Sequence, residues 1–184
     1  RLEALTFPDV RAGVTAMRLI MRAGLRPFLV RFYDADEARH AMRDPAFEQP
    51  VMFLGFEGLQ TIAEAEYAAA MAICAAEGGA PIGPAPVEAW MARRFDFSTI
   101  ENLLQTPGGV AETIEVAHFW DSILETYTGL KAALAPLAAE VLGHFSHVYT
   151  HGTSLYMILL GQAEDDAQAE ARILTIWDVA MRVC

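Results

Sequence analysis

The sequence predicts an α+β fold in which amphipathic helices cover one face of an antiparallel sheet. Apolar residues at helical spacing alternate along the chain with short apolar runs that are typical of strands. Some of these runs follow one another directly, which favours antiparallel hairpins over parallel crossovers. At 184 residues the chain is long enough for one domain and too short for two. The second face of the sheet is expected to be free for a ligand or partner.

Five stretches of the chain have the apolar spacing of helices. Pro8 and Asp9 open the first, and Gly78 and Gly79 stop the second, as expected of residues that begin and end helices. The predicted helical regions are 10–25, 61–77, 87–104 in two pieces broken around Asp96, 120–134 and 165–182.

Strands are predicted between these helices. The predicted strands are 27–33, 50–57, 110–117 and two more on either side of a turn at His151 and Gly152. Residues 81–86, between the second and third helical regions, are expected to form a loop.

The composition excludes two broad classes of function. The only long stretch without charge runs from 141 to 163, and its three histidines and three glycines exclude a membrane-spanning helix. A net charge of −11 argues against binding to nucleic acid, because contacts to phosphates need clustered Lys and Arg. The hydrophobic fraction of 54% leaves open a surface that a partner covers.

The ends of the chain and its two cysteines predict whether it is part of a longer protein and in which compartment it is found. It begins at Arg1 without a Met and stops at Cys184 inside a helical pattern, which predicts a fragment of a longer protein. Cys74 and Cys184 form no disulfide framework, and no signal peptide is visible, so a reducing cytoplasm is expected.

The segment 144–156 is the strongest candidate for a site. It contains three histidines and two tyrosines, namely His144, His147, His151, Tyr149 and Tyr156. Imidazoles and phenols at the head of an apolar strand can exchange protons in a partly dry cleft. A metal site is the alternative, but a spacing of three in a strand would turn His144 and His147 to opposite faces, so no metal is expected. Hydrogen bonding within the sheet is the ordinary alternative for these side chains.

Several sequence blocks in a fixed order resemble a known family. The blocks are Arg26-Pro27 to Arg31 with Asp34, Gly55-Phe56-Glu57-Gly58, Trp90 with Arg94-Phe95, Glu112-Thr113-Ile114-Glu115 with Trp120, and His144-x-Ser146-His147-x-Tyr149-x-x-Gly152-x-x-x-Tyr156. They resemble the C-terminal, substrate-side domain of FAD-linked oxidases in the vanillyl-alcohol oxidase superfamily, in its alkyldihydroxyacetonephosphate synthase branch. The resemblance covers about residues 25–156.

The resemblance implies a role for particular residues. Tyr156 would be the proton-transfer residue beside the flavin, with His144 and His147 as its catalytic neighbours. The residues expected to bind substrate are Arg31, Thr113 and Tyr149. For Arg31, a surface ion pair with Asp34 or Glu57 is the alternative. No residue of the chain is assigned to the cofactor.

The resemblance also implies partners for the chain. FAD would be bound mainly by an N-terminal domain that is absent here, and a His-rich segment would follow the last helix. Residues 1–184 would then form one ferredoxin-like, substrate-binding cap of an FAD-dependent oxidoreductase or an alkyldihydroxyacetonephosphate synthase-like enzyme. The substrate would be a small organic acid or phosphate ester, and a homodimer is left open.

One departure from the family pattern bears on the reaction. The family's synthases carry an Arg fourteen residues before the position of Glu115, and here that residue is Glu101. A carboxylate should repel a phosphate, which favours an oxidoreductase of unknown substrate over ether-lipid synthesis. The rival interpretations are a non-catalytic α+β binding or dimerisation module and a histidine-based metallohydrolase.

Overall fold

A computed structural model describes residues 1–184. Its strands are β1 (Leu2–Thr6), β2 (Leu29–Tyr33), β3 (Val51–Gly55), β4 (Ala80–Gly83), β5 (Gly109–Phe119), β6 (Glu140–Val148) and β7 (Gly152–Gln162). Its helices are α1 (Val10–Arg22), α2 (Ala35–Met42), α3 (Gln60–Ala76), α4 (Ala85–Arg93), α5 (Ser98–Gln105), α6 (Ile123–Leu134) and α7 (Asp166–Val183), with a 3-10 turn at Ala135–Leu137.

All seven strands belong to one sheet in the order β4-β1-β3-β2-β6-β7-β5. Every neighbouring pair is antiparallel, and the longest ladder joins β5 to the whole of β7. The predicted α+β class with an antiparallel sheet is therefore confirmed. The predicted hairpin around His151 is confirmed as the connection between β6 and β7.

The first face of the sheet carries the main core. Alternate residues of the strands, such as Phe32, Phe145 and Met157, point to this face and are fully buried. Helices α1, α3, α6 and α7 cover these residues with one continuous cluster of 27 buried residues. This packing buries large apolar side chains and holds the strands in a fixed register.

The second face is covered over only part of its area. Helices α2 and α4 pack on β1, β3 and β2 there, through a smaller cluster that includes Tyr33, Phe53, Ala38 and Val87. Helices therefore cover parts of both faces, whereas the prediction placed them on one face only. One of these two helices, α2, was absent from the predicted elements, because its sequence is mostly polar. Asp34 begins it by accepting a hydrogen bond from the Glu37 N–H at 2.9 Å.

Two strands were also missed. β1 is only five residues long and shows little alternation, and β4 lies in the stretch predicted as a loop. Pro81 is tolerated in β4 because this strand is at the edge of the sheet, where the missing N–H can face away from the ladder. The predicted break near Asp96 is confirmed, because α4 ends at Arg93 and α5 begins at Ser98. No helix of the chain has the length and hydropathy needed to cross a membrane.

Candidate functional site

Cross-strand pairing brings four side chains into one line on the second face. Tyr33 pairs with His144, His144 pairs with Tyr156, and Tyr156 pairs with Glu115. Residues directly opposite each other in a sheet point to the same side. These four residues, which we call the polar row, therefore cross β2, β6, β7 and β5 on the face opposite the main core.

His144 is the buried centre of the polar row. Its Nδ1 lies 2.8 and 2.9 Å from the two carboxylate oxygens of Glu37 on α2. Its Nε2 lies 2.9 Å from an Nη2 of Arg31. The Tyr156 ring stacks on the imidazole with the centroids 4.7 Å apart and the planes 10° from parallel. The imidazole thus connects three polar groups and fixes the Tyr156 ring.

Arg31 is held in place by neutral groups. Its Nε–H donates to the Tyr33 hydroxyl at 2.9 Å, and its guanidinium lies over the ring of Trp90 at 5.2 Å. It forms no ion pair, and the Asp34 carboxylate pairs instead with Lys131 at 2.6 Å. The alternative of a surface ion pair with Asp34 or Glu57 is therefore wrong. A partly buried cation without a counterion is suited to bind an anion.

Tyr156 is partly buried between the polar groups of the row. Burial is the main cause that raises the pKa of its phenol, and the neighbouring Glu115 carboxylate raises it further, while Arg31 acts in the opposite direction. The phenol therefore keeps its proton at neutral pH. In this state it can donate a hydrogen bond or a proton to a bound molecule.

His147 reaches the same side of the sheet as His144. The register of β6 on β7 shifts between Phe145 and Val148, so that two residues of β6 lie opposite Ser154 alone. The His147 ring lies 6.0 Å from the ring of Tyr156, with its Nδ1 3.2 Å from the Ser154 hydroxyl. The expectation that His144 and His147 face opposite sides is wrong, because a bulge breaks the simple alternation.

The two remaining predicted substrate-binding residues lie further out. Thr113 is exposed on β5, two residues from Glu115 and on the same side. Tyr149 is exposed at the end of the hairpin, where its ring stacks on His151 with centroids 6.1 Å apart. The structure therefore brings Arg31, His144, His147 and Tyr156 together, with Thr113 at the margin and Tyr149 outside.

Sequence reasoning missed Glu37 and Tyr33 as members of this site. The only signal for Glu37 was its position three residues after Asp34, which indicates a helix start and not a site. Glu115 entered the sequence analysis only as part of the family block and as the reference position for Glu101. Glu112 faces the other side of the sheet, where its carboxylate accepts a hydrogen bond from Trp177 of α7 at 3.0 Å.

Two open grooves flank the polar row. One, of about 580 Å³, is lined by Arg31, Trp90, Arg93 and residues of α2 and α5. The other, of about 640 Å³, is lined by Glu115, His147 and the hairpin end. No three or more His, Cys, Asp or Glu side chains are placed to hold a metal ion.

The surface of β7 on this face combines apolar side chains with one phenol, and its Ile158 and Leu160 line the same groove as Arg31. Ile158 and Leu160 follow Tyr156 along the same side of β7, and all three are only partly buried. They present apolar surface beside a phenol that can form hydrogen bonds.

Glu101, at the position of the expected arginine, is exposed on α5.

Comparison with known proteins identifies similar chains. The family model described as "FAD linked oxidases, C-terminal domain" matches residues 1–184. An alkyldihydroxyacetonephosphate synthase of Trypanosoma brucei brucei is 20% identical, over 90% of this chain and 32% of its own length. YgcU of Escherichia coli O157:H7, an uncharacterized FAD-linked oxidoreductase, is 28% identical, over 82% of this chain and 33% of its own length.

Solved structures share the fold at low sequence identity. A structure of alkyldihydroxyacetonephosphate synthase has a TM-score of 0.79 at 20% identity and covers all of this chain and 39% of its own. A structure of p-cresol methylhydroxylase with substrate bound has a TM-score of 0.72 at 8% identity, over 100% of this chain and 43% of its own. The chain thus spans about a third of the length of its curated relatives.

Proposed function

Because the chain belongs to the family of FAD-linked oxidase C-terminal domains, we propose that it is the substrate-binding cap of an FAD-dependent enzyme. This family binds FAD, and its members include oxidoreductases and alkyldihydroxyacetonephosphate synthases. Residues 1–184 would form one unit, and the flavin would be held mainly by an N-terminal domain of the same protein. The substrate would be a small organic acid or phosphate ester.

The second face of the sheet is the surface proposed to meet the flavin. Tyr156, Ile158 and Leu160 on β7 would cover its ring system, since they combine apolar area with one hydrogen-bonding group. When bound, the flavin supplies the capacity to accept an electron pair from the substrate. The residues of the polar row would bind and orient the substrate and exclude water beside it.

The proposal of an anionic substrate rests on Arg31, a partly buried cation without a counterion. Its guanidinium is held by the Tyr33 hydroxyl and by His144, and it has no carboxylate partner. Two of its five N–H groups are thereby used, so the others are free to donate to a carboxylate or phosphate. Arg93 lines the same groove and adds positive charge.

Tyr156 is proposed to handle a proton of the substrate. Its raised pKa keeps the phenol protonated at neutral pH, which fits a donor towards a substrate oxygen. The stack on His144 fixes the ring, and the His147 ring lies 6.0 Å from it. Oxidation is favoured over ether formation, because Glu101 adds no cation for a second phosphate contact.

We also propose a cytoplasmic location, since Cys74 and Cys184 are free thiols.

A visible absorption spectrum of the purified full-length protein tests this proposal. We expect a bound flavin spectrum that bleaches anaerobically with members of a panel of 2-hydroxy acids. A folded, colourless protein that cannot be reconstituted with FAD would overturn it.

A further inference from the structure

Glu37 is a buried carboxylate without a cationic partner of its own. It lies on α2, forms no ion pair with Lys or Arg, and directs both side-chain oxygens at Nδ1 of His144. Burying a carboxylate is costly unless hydrogen bonds compensate for the lost water. The imidazole of His144 is the group that provides this compensation.

The chemistry of the neighbouring groups determines the tautomer of His144. An ionised carboxylate can only accept hydrogen bonds, and a guanidinium can only donate them. His144 lies between Glu37 and Arg31, so its Nδ1 must donate to Glu37 and its Nε2 must accept from Arg31. The opposite tautomer would put an N–H of His144 against an N–H of Arg31 and break both contacts.

We propose that Glu37 is a positioning residue that acts through His144 to orient Arg31 for the anionic group of the substrate. This inference rests on the proposed function and deepens it, because it names the residue that prepares the anion site. Glu37 stabilises the Nδ1–H tautomer of His144 by accepting its hydrogen bond. The Nε2 of His144 then accepts a hydrogen bond from the Nη2 of Arg31, and the Tyr33 hydroxyl accepts one from the Nε–H of Arg31. The remaining N–H groups stay directed at the groove for a carboxylate or phosphate oxygen.

A purely structural role for Glu37 is the alternative, since the Glu37–His144 contact also joins α2 to β6. A matched contact joins the same two elements elsewhere: His40 of α2 lies 2.6 Å from the Glu140 carboxylate of β6. That pair is exposed and touches neither Arg31 nor Tyr156. Glu140→Gln therefore serves as a control that weakens the α2–β6 contact without affecting the chain of contacts to Arg31.

The first measurement is the ¹⁵N resonance pattern of the His144 ring in the full-length protein, assigned with His144→Gln. We expect a protonated Nδ1 and an unprotonated Nε2 in the wild type, in Glu37→Gln and in Glu140→Gln, because each keeps an acceptor opposite Nδ1. Glu37→Leu should lose this pattern. An Nε2–H tautomer in the wild type, or an unchanged pattern in a folded Glu37→Leu variant, would overturn the proposal.

The second measurement is the affinity for oxalate and for inorganic phosphate by titration calorimetry. Glu37→Leu should weaken the binding of at least one of them about tenfold or more, as expected when a hydrogen bond to a charged group is misdirected. Glu37→Gln should restore the affinity. In an Arg31→Met background, Glu37→Leu should have no further effect.

The outcomes separate the two proposals. An equal loss of affinity with and without Arg31, or no binding of either anion by the folded wild type, would overturn the role of Glu37. The flavin content of the same samples, read from their absorbance, judges the proposed function independently of the tautomer and of the binding cycle.

Discussion

The two faces of the sheet use the same strands for different purposes. On β2, β6 and β7 the residues Phe32, Phe145 and Met157 point to the first face and are fully buried among helices. Their immediate neighbours His144 and Tyr156 point to the second face, where they form part of the polar row. Because successive side chains of a strand point to opposite faces, neighbouring residues contribute either to the buried core or to the polar row. Substitutions of these buried first-face residues should destabilise the domain, and substitutions of Tyr156 and its neighbours in the polar row should change binding and proton transfer.

Phe145→Ala should produce the largest loss of stability. The ring is fully buried and packs against Phe32 and Tyr127, so its removal leaves a cavity. We expect the free energy of unfolding to fall by about 3–5 kcal/mol in urea denaturation. Phe97→Ala, at an exposed site, is the control and should change it by less than about 0.5 kcal/mol. Similar losses in the two variants would contradict the assignment of the core.

Tyr156→Phe should leave the fold intact and lower kcat about 100-fold, because it removes the hydroxyl proposed to transfer a proton while keeping the stacked ring. The rate of anaerobic flavin bleaching by an active 2-hydroxy acid is the measurement. Tyr67→Phe removes a hydroxyl that donates to Glu3, away from the polar row, and should keep the wild-type rate. Equal rates in all three proteins would exclude Tyr156 from the reaction.

Glu115→Gln should lower the pKa of the Tyr156 phenol towards its ordinary value. The carboxylate favours the neutral phenol, so its loss makes ionisation easier, while the effect of burial stays. Because a raised pKa in the folded state stabilises the fold only while the phenol is protonated, this contribution is present at neutral pH and is lost as pH rises through the folded pKa. Ultraviolet titration measures the change. Glu112→Gln, which faces α7, should leave the titration of Tyr156 unaltered.

Glu140→Gln should have the smallest effect. Its contact with His40 is exposed on both sides, and such surface pairs contribute about 0–1 kcal/mol. A shift of the thermal midpoint of at most a few degrees is expected. A loss as large as that of Phe145→Ala would show that the α2–β6 contact, and not burial on the first face, holds this part of the domain together.

The sequence was sufficient for the fold class because apolar periodicity is a local property. The long amphipathic helices and the apolar strands of the centre were predicted for this reason. β1, β4 and α2 were missed because they are short or polar and owe their structure to tertiary contacts: β1 is held between β3 and β4, and α2 by the Asp34 cap and by packing on Tyr33.

The candidate site was predictable only in part. His144, Tyr156 and Arg31 stood out by type, and a family resemblance linked them. The roles of Glu37 and Tyr33 depend on pairing between distant segments, since 107 residues separate Glu37 from His144. The bulge that turns His147 towards Tyr156 contains no glycine or proline, so no signal in the sequence was available from which to predict it.

A structure of the full-length protein with FAD bound tests the central claim most directly. We predict that the flavin ring system lies against the second face of the sheet, with Tyr156 beside it and Arg31 facing the space for substrate. A flavin bound with the second face of β6 and β7 open to solvent, or covered by a surface that carries no cofactor, would contradict the account.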